Sequence, residues 1–462
     1  MSDVNAVLAQ IDSNLPQSLQ RLFQFLAIPS ISTDSAYRDE CRRAAQWASN
    51  ELAGIGFDAR VADTNGHPMV VAHRKPAGAK RHVLFYGHYD VQPPDPLELW
   101  QTPPFEARIA DGSRGKQIVA RGSSDDKGQL LTFIEAARAF IETVGELPVA
   151  VTVLLEGEEE SGSPSLKPFF DDNKDELKAD LALVCDTGMW NADTPAITTR
   201  LRGLVGEEIT VTTASRDLHS GMYGGPALNP IKVLSNLLAS LHDDSGRVQV
   251  PDFYEGVEEL PEAVARQWRG LGFDDAAFLG EAGLTGPSGE KDRSVLEKIW
   301  ARPTCEVNGI YGGYTGEGFK TVIPAKASAK ISFRLVGKQD PVAISKSFRT
   351  FLRDRLPPGA ALSFREHGGS SALELSGDSP ALALAATGLK DEWGKDPILM
   401  GSGGSIPIVG AFKKELGMDT LLIGFALDDD RIHSPNEKYE LSSFHRGTRS
   451  WARILARLSE WA

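Results

Sequence analysis

The chain has 462 residues, 41% of them hydrophobic and 24% charged, with 49 lysines and arginines against 63 aspartates and glutamates for a formal net charge of −14. That length predicts two or three domains, with enough apolar residues to bury a substantial core. The acidic balance, without any long Lys/Arg run, argues against nucleic acid or an anionic membrane as partner, because both reward a basic face.

The first 30 residues alternate polar and apolar positions at helical spacing and lack the basic start and unbroken apolar stretch of a signal peptide. No segment reaches the roughly 18 to 20 apolar residues a membrane span requires. An amphipathic stretch from Arg38 to Leu52 follows. Strand-like and helical runs then alternate: HVLFYGHYDV (82–91) as a buried strand, GQLLTFIEAARAFIET (128–143) as a helix, VAVTVLLEG (149–157) as a strand, LKPFFDDNKDEL (166–177) as a helix and ADLALVCD (179–186) as a strand. Such alternation predicts an α/β domain with a mainly parallel sheet covered by helices, its ligand crevice at the carboxyl ends of the strands.

From about Ile197 the pattern changes. GLVGEEITVTTAS (203–215) reads as a strand pair and leads through the loop RDLHSGMYGGPALNP into the helix IKVLSNLLASLH (231–242). ASAKISFRLVG (327–337), the helical AISKSFRTFLRDRL (343–356) and ALSFREHG (361–368) complete a smaller α+β, two-layer, ferredoxin-like unit. The weakly periodic stretch from Asp243 to Arg302, rich in charge, Gly and Pro, reads as an insertion. Alternation resumes with ALALAATGLKDEW, TLLIGFAL and a final helix. The expected organisation is therefore a discontinuous domain of residues 1–196 and 377–462, interrupted by a second domain of residues 197–376. Three cysteines, Cys41, Cys185 and Cys305, form no closely spaced ligand pair and are an odd number for a disulfide framework, which points to a cytoplasmic protein.

Five residues of metal-ligand type stand at or just past the ends of apolar runs: His88 in GHYDV, Asp125 in GSSDDKG, Glu160 in GEEESGS, Asp186 in LVCDTG and His433 in RIHSPNE. Two histidines and three carboxylates suit two divalent cations, one carboxylate bridging, with a water left as nucleophile. The chemistry implied is hydrolysis. Read alone, each residue has a plainer use. His88 and Asp90 suit a hydrogen-bonded strand end, Asp125 a helix N-cap, and the acids Glu156, Glu158, Glu159 and Glu160 a solvated run. On an extended segment His88 and Asp90 share a face, so Asp90 can take the second ring N–H of His88. Of two adjacent glutamates, one can hold metal while the other moves protons.

The segments GHYDVQP, GRGSSDDKG, EGEEESGS, DLHSGMYGG, KTVIPAKASAKISFRLV, GSGGSIP and HSPNE, in this order over nearly the whole chain, resemble those of the M20 metallopeptidases, in particular the carnosinase-like dipeptidase branch. The resemblance implies that His88 and Asp186 hold one metal, that Glu160 and His433 hold the other, and that Asp125 bridges them through a loop with a cis Asp125–Asp126 bond. It further implies Glu159 as general base, Asp90 behind His88, and His219 of DLHSG as a histidine that reaches the active site of a partner subunit. Arg334, Thr321, Gly404 and Ser405 would bind the substrate's terminal carboxylate. The implied protein is a homodimer joined through its inserted lid domain. It cleaves dipeptides or similar small peptides with a bridging hydroxide on two divalent ions, zinc first, with manganese or cobalt as alternatives. A deacylase of N-acyl amino acids shares this metal chemistry and is the nearest rival. A nucleotide-binding reading of GGYTGEGFKT fails because Phe319 separates Gly318 from the lysine a phosphate loop needs.

Overall fold

The strands, in chain order, are β1 (Asp58–Ala62), β2 (Met69–Arg74), β3 (His82–His88), β4 (Arg108–Gly112), β5 (Gly115–Val119), β6 (Ala150–Glu156), β7 (Leu181–Val184), β8 (Ala196–Leu201), β9 (Gly203–Thr212), β10 (Leu218–His219), β11 (Thr304–Gly312), β12 (Val322–Ile323), β13 (Lys326–Leu335), β14 (Ala361–Ser370), β15 (Leu373–Glu374), β16 (Ile398–Ser402), β17 (Asp419–Leu422) and β18 (Lys438–Glu440). The computed structural model describes residues 2–377, 379–404 and 406–461. The chain divides into two compact units, one of Met1–Thr199, Leu375–Met400 and Pro407–Ala462, the other of Arg200–Glu374 and Gly401–Ile406.

In the first unit the large sheet runs in the order β1-β2-β6-β3-β7-β17-β8. Its centre is parallel, β6 to β3, β3 to β7 and β7 to β17, and its flanks are antiparallel, β1 to β2, β2 to β6 and β17 to β8. The central strands are buried along nearly their whole length, which is why VLFYG, VLL and LALV read as continuous buried runs rather than alternating ones. The helix Lys127–Val144 packs on this sheet, and Phe85 of β3 stacks on its Phe133 at 3.8 Å between ring centroids, with Trp451 of the C-terminal helix edge-on to both. The helix Lys127–Val144 stops at Gly145, whose φ of +87° makes a left-handed C-terminal cap. A separate three-stranded sheet, β18-β5-β4, had no clear signal in the sequence because its strands are short and polar.

The second unit is built on the antiparallel sheet β11-β13-β9-β14. Burial alternates strictly along β9, with Val205, Ile209 and Val211 facing a core shared with Leu234, Leu237, Phe333, Phe348 and Phe351, as expected of a sheet covered on one face. The helices Pro230–Ala239 and Pro341–Asp354 supply that cover. Each starts with an Asx side chain, Asn229 or Asp340, accepting a backbone N–H from the first turn, with proline as the first helical residue. GLVGEEITVTTAS is not the strand pair expected from its charged flanks. Gly203–Thr212 is one continuous strand, since β13 and β14 pair with it on its two edges. The stretch 243–302 holds three short helices, Glu262–Arg269, Asp275–Glu281 and Val295–Trp300, tied in part by the buried pair Arg302 Nε to Glu290 Oε2 at 2.5 Å.

Candidate metal centre

The parallel register of the first unit sets the carboxyl ends of its central strands side by side: His88 lies opposite Glu156, Tyr86 opposite Val184, and Val184 opposite Leu422. Four of the five expected residues emerge from this edge. His88 is the last residue of β3, Glu160 lies in a single turn after β6, Asp186 lies just past β7, and His433 lies in the loop between β17 and β18. Asp125 joins them from the loop preceding the helix Lys127–Val144. It is not the helix N-cap, a position taken by Asp126, whose side chain makes no capping bond. The Asp125–Asp126 peptide is cis.

The ligand-type atoms form two groups that share Asp125, His88 with Asp125 and Asp186, and Asp125 with Glu160 and His433, each group within 4.8 Å. His88 Nε2 is 3.0 Å from Asp125 Oδ1 and 3.9 Å from Asp186 Oδ2. His433 Nε2 is 2.9 Å from Asp125 Oδ2 and 3.3 Å from Glu160 Oε2. Oxygen and imidazole nitrogen in this ratio form a donor set for divalent ions. The electrostatics point the same way. Glu160 Oε1 is buried without a hydrogen-bond partner. Burial and the neighbouring Asp125 push the Asp186 carboxyl well above the ordinary range, and Asp125 and Glu160 push His433 up to about 10. His88 is also raised, its burial outweighed by Asp125 and Asp90. Asp125 itself is drawn down, against its burial, by His433 and His88. Two imidazoles drawn toward the cationic form by carboxylates mark a place where positive charge is favoured, as a metal centre requires.

Asp90 lies behind both groups. The Nδ1 of His88 is 3.1 Å from the Asp90 carbonyl oxygen and 3.4 Å from its Oδ1, while Asp90 Oδ2 accepts the backbone N–H of Glu160 at 3.1 Å. One residue thus orients a histidine of one group and a glutamate of the other. The acidic run divides by environment. Glu156 is fully buried and accepts the Tyr86 hydroxyl, and Glu158 accepts the backbone N–H groups of His67 and Ser165, so both have structural partners. Glu159 keeps no such partner, and burial raises its pKa against the pull of His88. A raised carboxyl is a stronger proton acceptor than a free one.

Further residues support the two groups. Gln92 Nε2 donates to Glu160 Oε2 at 2.8 Å. Asp126 Oδ2 accepts the backbone N–H of His88 at 3.1 Å, and the thiol of Cys185, a buried residue as its apolar run implied, lies 3.4 Å from Asp126. Glu437 binds the loop that carries Asp125. Gln92 and Glu437 stand inside the quoted segments GHYDVQP and HSPNE, the only signal available for them. The His433 loop holds Arg431, His433 and Asn436 at φ of +57°, +60° and +62°. For residues other than glycine such angles cost roughly 1–3 kcal/mol each and persist only where surroundings enforce them.

The remaining expected residues belong to the second unit. His219 is exposed, pairs with Val322 across β10 and β12, and accepts the Gly221 N–H on Nδ1, while Ser220 donates its N–H to the Thr321 carbonyl, so His219 and Thr321 are brought together. Arg334 lies half-buried on β13, opposite Leu204 of β9 and Thr304 of β11, and makes no ion pair among the described residues. Burial, reinforced by Arg334, pushes Arg202 down to about 10. The backbone N–H of Arg202 is donated to the Gly404 carbonyl at 3.1 Å, so Gly404 is fixed in the same unit. Ser405 lies outside the described residues.

Residues 84–457 match the model of peptidase family M20/M25/M40. The chain belongs to that family of peptidases. It is 31% identical over 461 residues to the Cys-Gly metallodipeptidase DUG1 of Candida albicans, spanning 95% of this chain and 94% of that one. It is 28% identical to the human β-Ala-His dipeptidase over 98% of this chain and 92% of the relative. Among solved structures, the M20 metallo-carboxypeptidase Sso-CP2 of Sulfolobus solfataricus superposes with a TM-score of 0.82 at 30% identity, covering 96% of this chain and 99% of that one. Among the described residues no helix is long and apolar enough to cross a membrane.

Proposed function

We propose that this M20 peptidase is a metal-dependent exopeptidase that hydrolyses the amide bond of unblocked dipeptides and similar small peptides. The observation that carries the reading is the sharing of Asp125 between two histidine-carboxylate groups on one sheet edge, with Glu159 adjoining them. His88, Asp125 and Asp186 would hold one divalent ion and Asp125, Glu160 and His433 the other. Two such ions supply Lewis acidity for a peptide carbonyl and make water a nucleophile at neutral pH. Zinc suits the donor set, and manganese or cobalt share it.

Glu159 takes the proton that the attacking water gives up and delivers it to the departing amine nitrogen. Asp90 keeps His88 and Glu160 in place during that exchange. Arg334, a guanidinium with no carboxylate of its own among the described residues, offers a fork for the substrate's free carboxylate, with Thr321, Gly404 and Ser405 completing the clamp. His219 serves the site of a partner subunit in a homodimer formed through the Arg200–Glu374 unit, where the exposed Met222 and Tyr223 lie just beyond Ser220 and Gly221. The three cysteines are buried and unpaired, in keeping with a reducing, cytoplasmic setting. The similarity to a Cys-Gly dipeptidase and a β-Ala-His dipeptidase makes those two dipeptides the first substrates to try.

Protein stripped by chelator and reloaded with zinc, manganese or cobalt is offered free dipeptides, C-terminally amidated dipeptides and N-acyl amino acids, with product release followed by chromatography. Metal-dependent cleavage confined to free dipeptides supports the proposal. Preference for N-acyl amino acids replaces it with a deacylase.

A further inference from the structure

We propose that Glu437, together with Asp430, is a positioning clamp that fixes the loop carrying His433 against the loop carrying Asp125 and so sets the geometry of the ion shared by those two residues. This rests on the reading of the five side chains as metal ligands.

Glu437 is fully buried. Its Oε2 accepts from Arg121 Nη1 at 2.7 Å and from the backbone N–H of Gly122 at 2.9 Å, and its Oε1 accepts the backbone N–H groups of Ser124 at 2.8 Å and Asp125 at 3.1 Å. A carboxylate offers about four lone-pair sites, and here all are used on one short segment. The Ala120 N–H donates to the Glu437 carbonyl as well. The segment 120–125, which has no regular structure of its own, therefore takes its shape from Glu437.

Asp430 closes the same joint from the other end of the His433 loop. Its Oδ2 accepts the Ser124 hydroxyl at 2.8 Å and the Leu427 N–H at 2.9 Å, its Oδ1 pairs with Lys438 Nζ at 2.7 Å, and its carbonyl accepts the Lys438 N–H. His433 lies between these two anchors in a stretch where Arg431, His433 and Asn436 are all left-handed. A third anchor is Asn436, which accepts the Gln101 N–H and donates to the Leu99 carbonyl, each at 2.8 Å. A loop with such backbone angles would relax if released, and relaxation would carry His433 away from Asp125. Glu437 acts through the backbone of Asp125, so it is a positioning residue rather than a catalytic one.

Glu437→Gln preserves volume but turns one acceptor into a donor facing two N–H groups. Metal-free protein is titrated with Co2+ alone, followed by calorimetry and by the cobalt absorption band. The wild type is expected to bind two ions. In E437Q one of the two dissociation constants should rise by about 10–100-fold, the range for losing a partner that orients a ligand, with an altered cobalt band. Ser124→Ala, which removes only the bond to Asp430, should shift the same site in the same direction by less, and it decides the matter if E437Q does not fold. Folded E437Q, or S124A in its place, binding both ions as the wild type does overturns the clamp and leaves the metal centre standing. A lower melting temperature with unchanged cobalt affinity in the folded fraction overturns it too, as a merely structural role. A wild-type protein that binds no cobalt removes the centre, and the clamp with it.

Discussion

His433 presents Nε2 to Asp125 Oδ2 at 2.9 Å. The other oxygen of the same carboxylate faces His88 at 3.0 Å, so Asp125 belongs to both groups and each histidine to one. Metal content should follow that division. His433→Ala and His88→Ala are each expected to retain one ion of two, whereas Asp125→Ala should retain neither tightly. Metal analysis after equilibrium dialysis measures this, and equal losses in all three variants would contradict the shared-carboxylate arrangement.

In the proposed reaction Glu159 moves the protons. Glu159→Gln keeps the side chain's size and should leave both ions bound while kcat falls by about 100- to 10,000-fold, the usual contribution of a general acid-base group. Stopped assays on the metal-loaded variant test this. Retained turnover would transfer the role to another residue.

Arg334 should matter only to substrates with a free carboxylate. Arg334→Ala is expected to raise KM for free dipeptides by about 10- to 100-fold, the value of a hydrogen bond to a charged group, and to leave residual cleavage of amidated dipeptides unchanged. An equal effect on both substrate types would show that Arg334 does not read the carboxylate.

Glu156 provides a pH-dependent stability term. Burial raises its pKa from 4.5 to about 7, with the Tyr86 hydroxyl opposing the shift. Between those values the native protein holds a proton that the unfolded chain has released, so this group's contribution to stability is full below about pH 4.5 and is lost as the pH rises through about 7. Glu156→Gln, neutral throughout, should therefore stabilise the metal-free protein at pH 8 by about 1–3 kcal/mol. Melting curves of both proteins in chelator should converge near pH 5; a gap that persists there would point to packing instead of charge.

The sequence showed most clearly where buried strands end. VLFYG, VLL and LALV are unbroken by polar side chains other than the Tyr86 hydroxyl because strands at the centre of a parallel sheet are covered on both faces, and the polar residues that follow these runs stand at the carboxyl edge of the sheet. Thus His88, Glu160 and Asp186 could be singled out together. The β4–β5 hairpin carries no signal because short, half-exposed strands show no such contrast, and Gly203–Thr212 reads as two strands in sequence because the adjacent Glu207 and Glu208 interrupt its apolar residues until two neighbours pair with it.

By itself, then, the sequence determined which residue types are present and near which strand ends, since burial pattern and ligand chemistry are local properties. The tertiary structure alone decided which oxygen of Asp125 meets which histidine, that Asp90 serves both groups, and that Glu437 and Gln92 support them. Those relationships join segments far apart in the chain. They depend on strand order and on loops held in left-handed conformations by distant hydrogen bonds, and no local pattern encodes either.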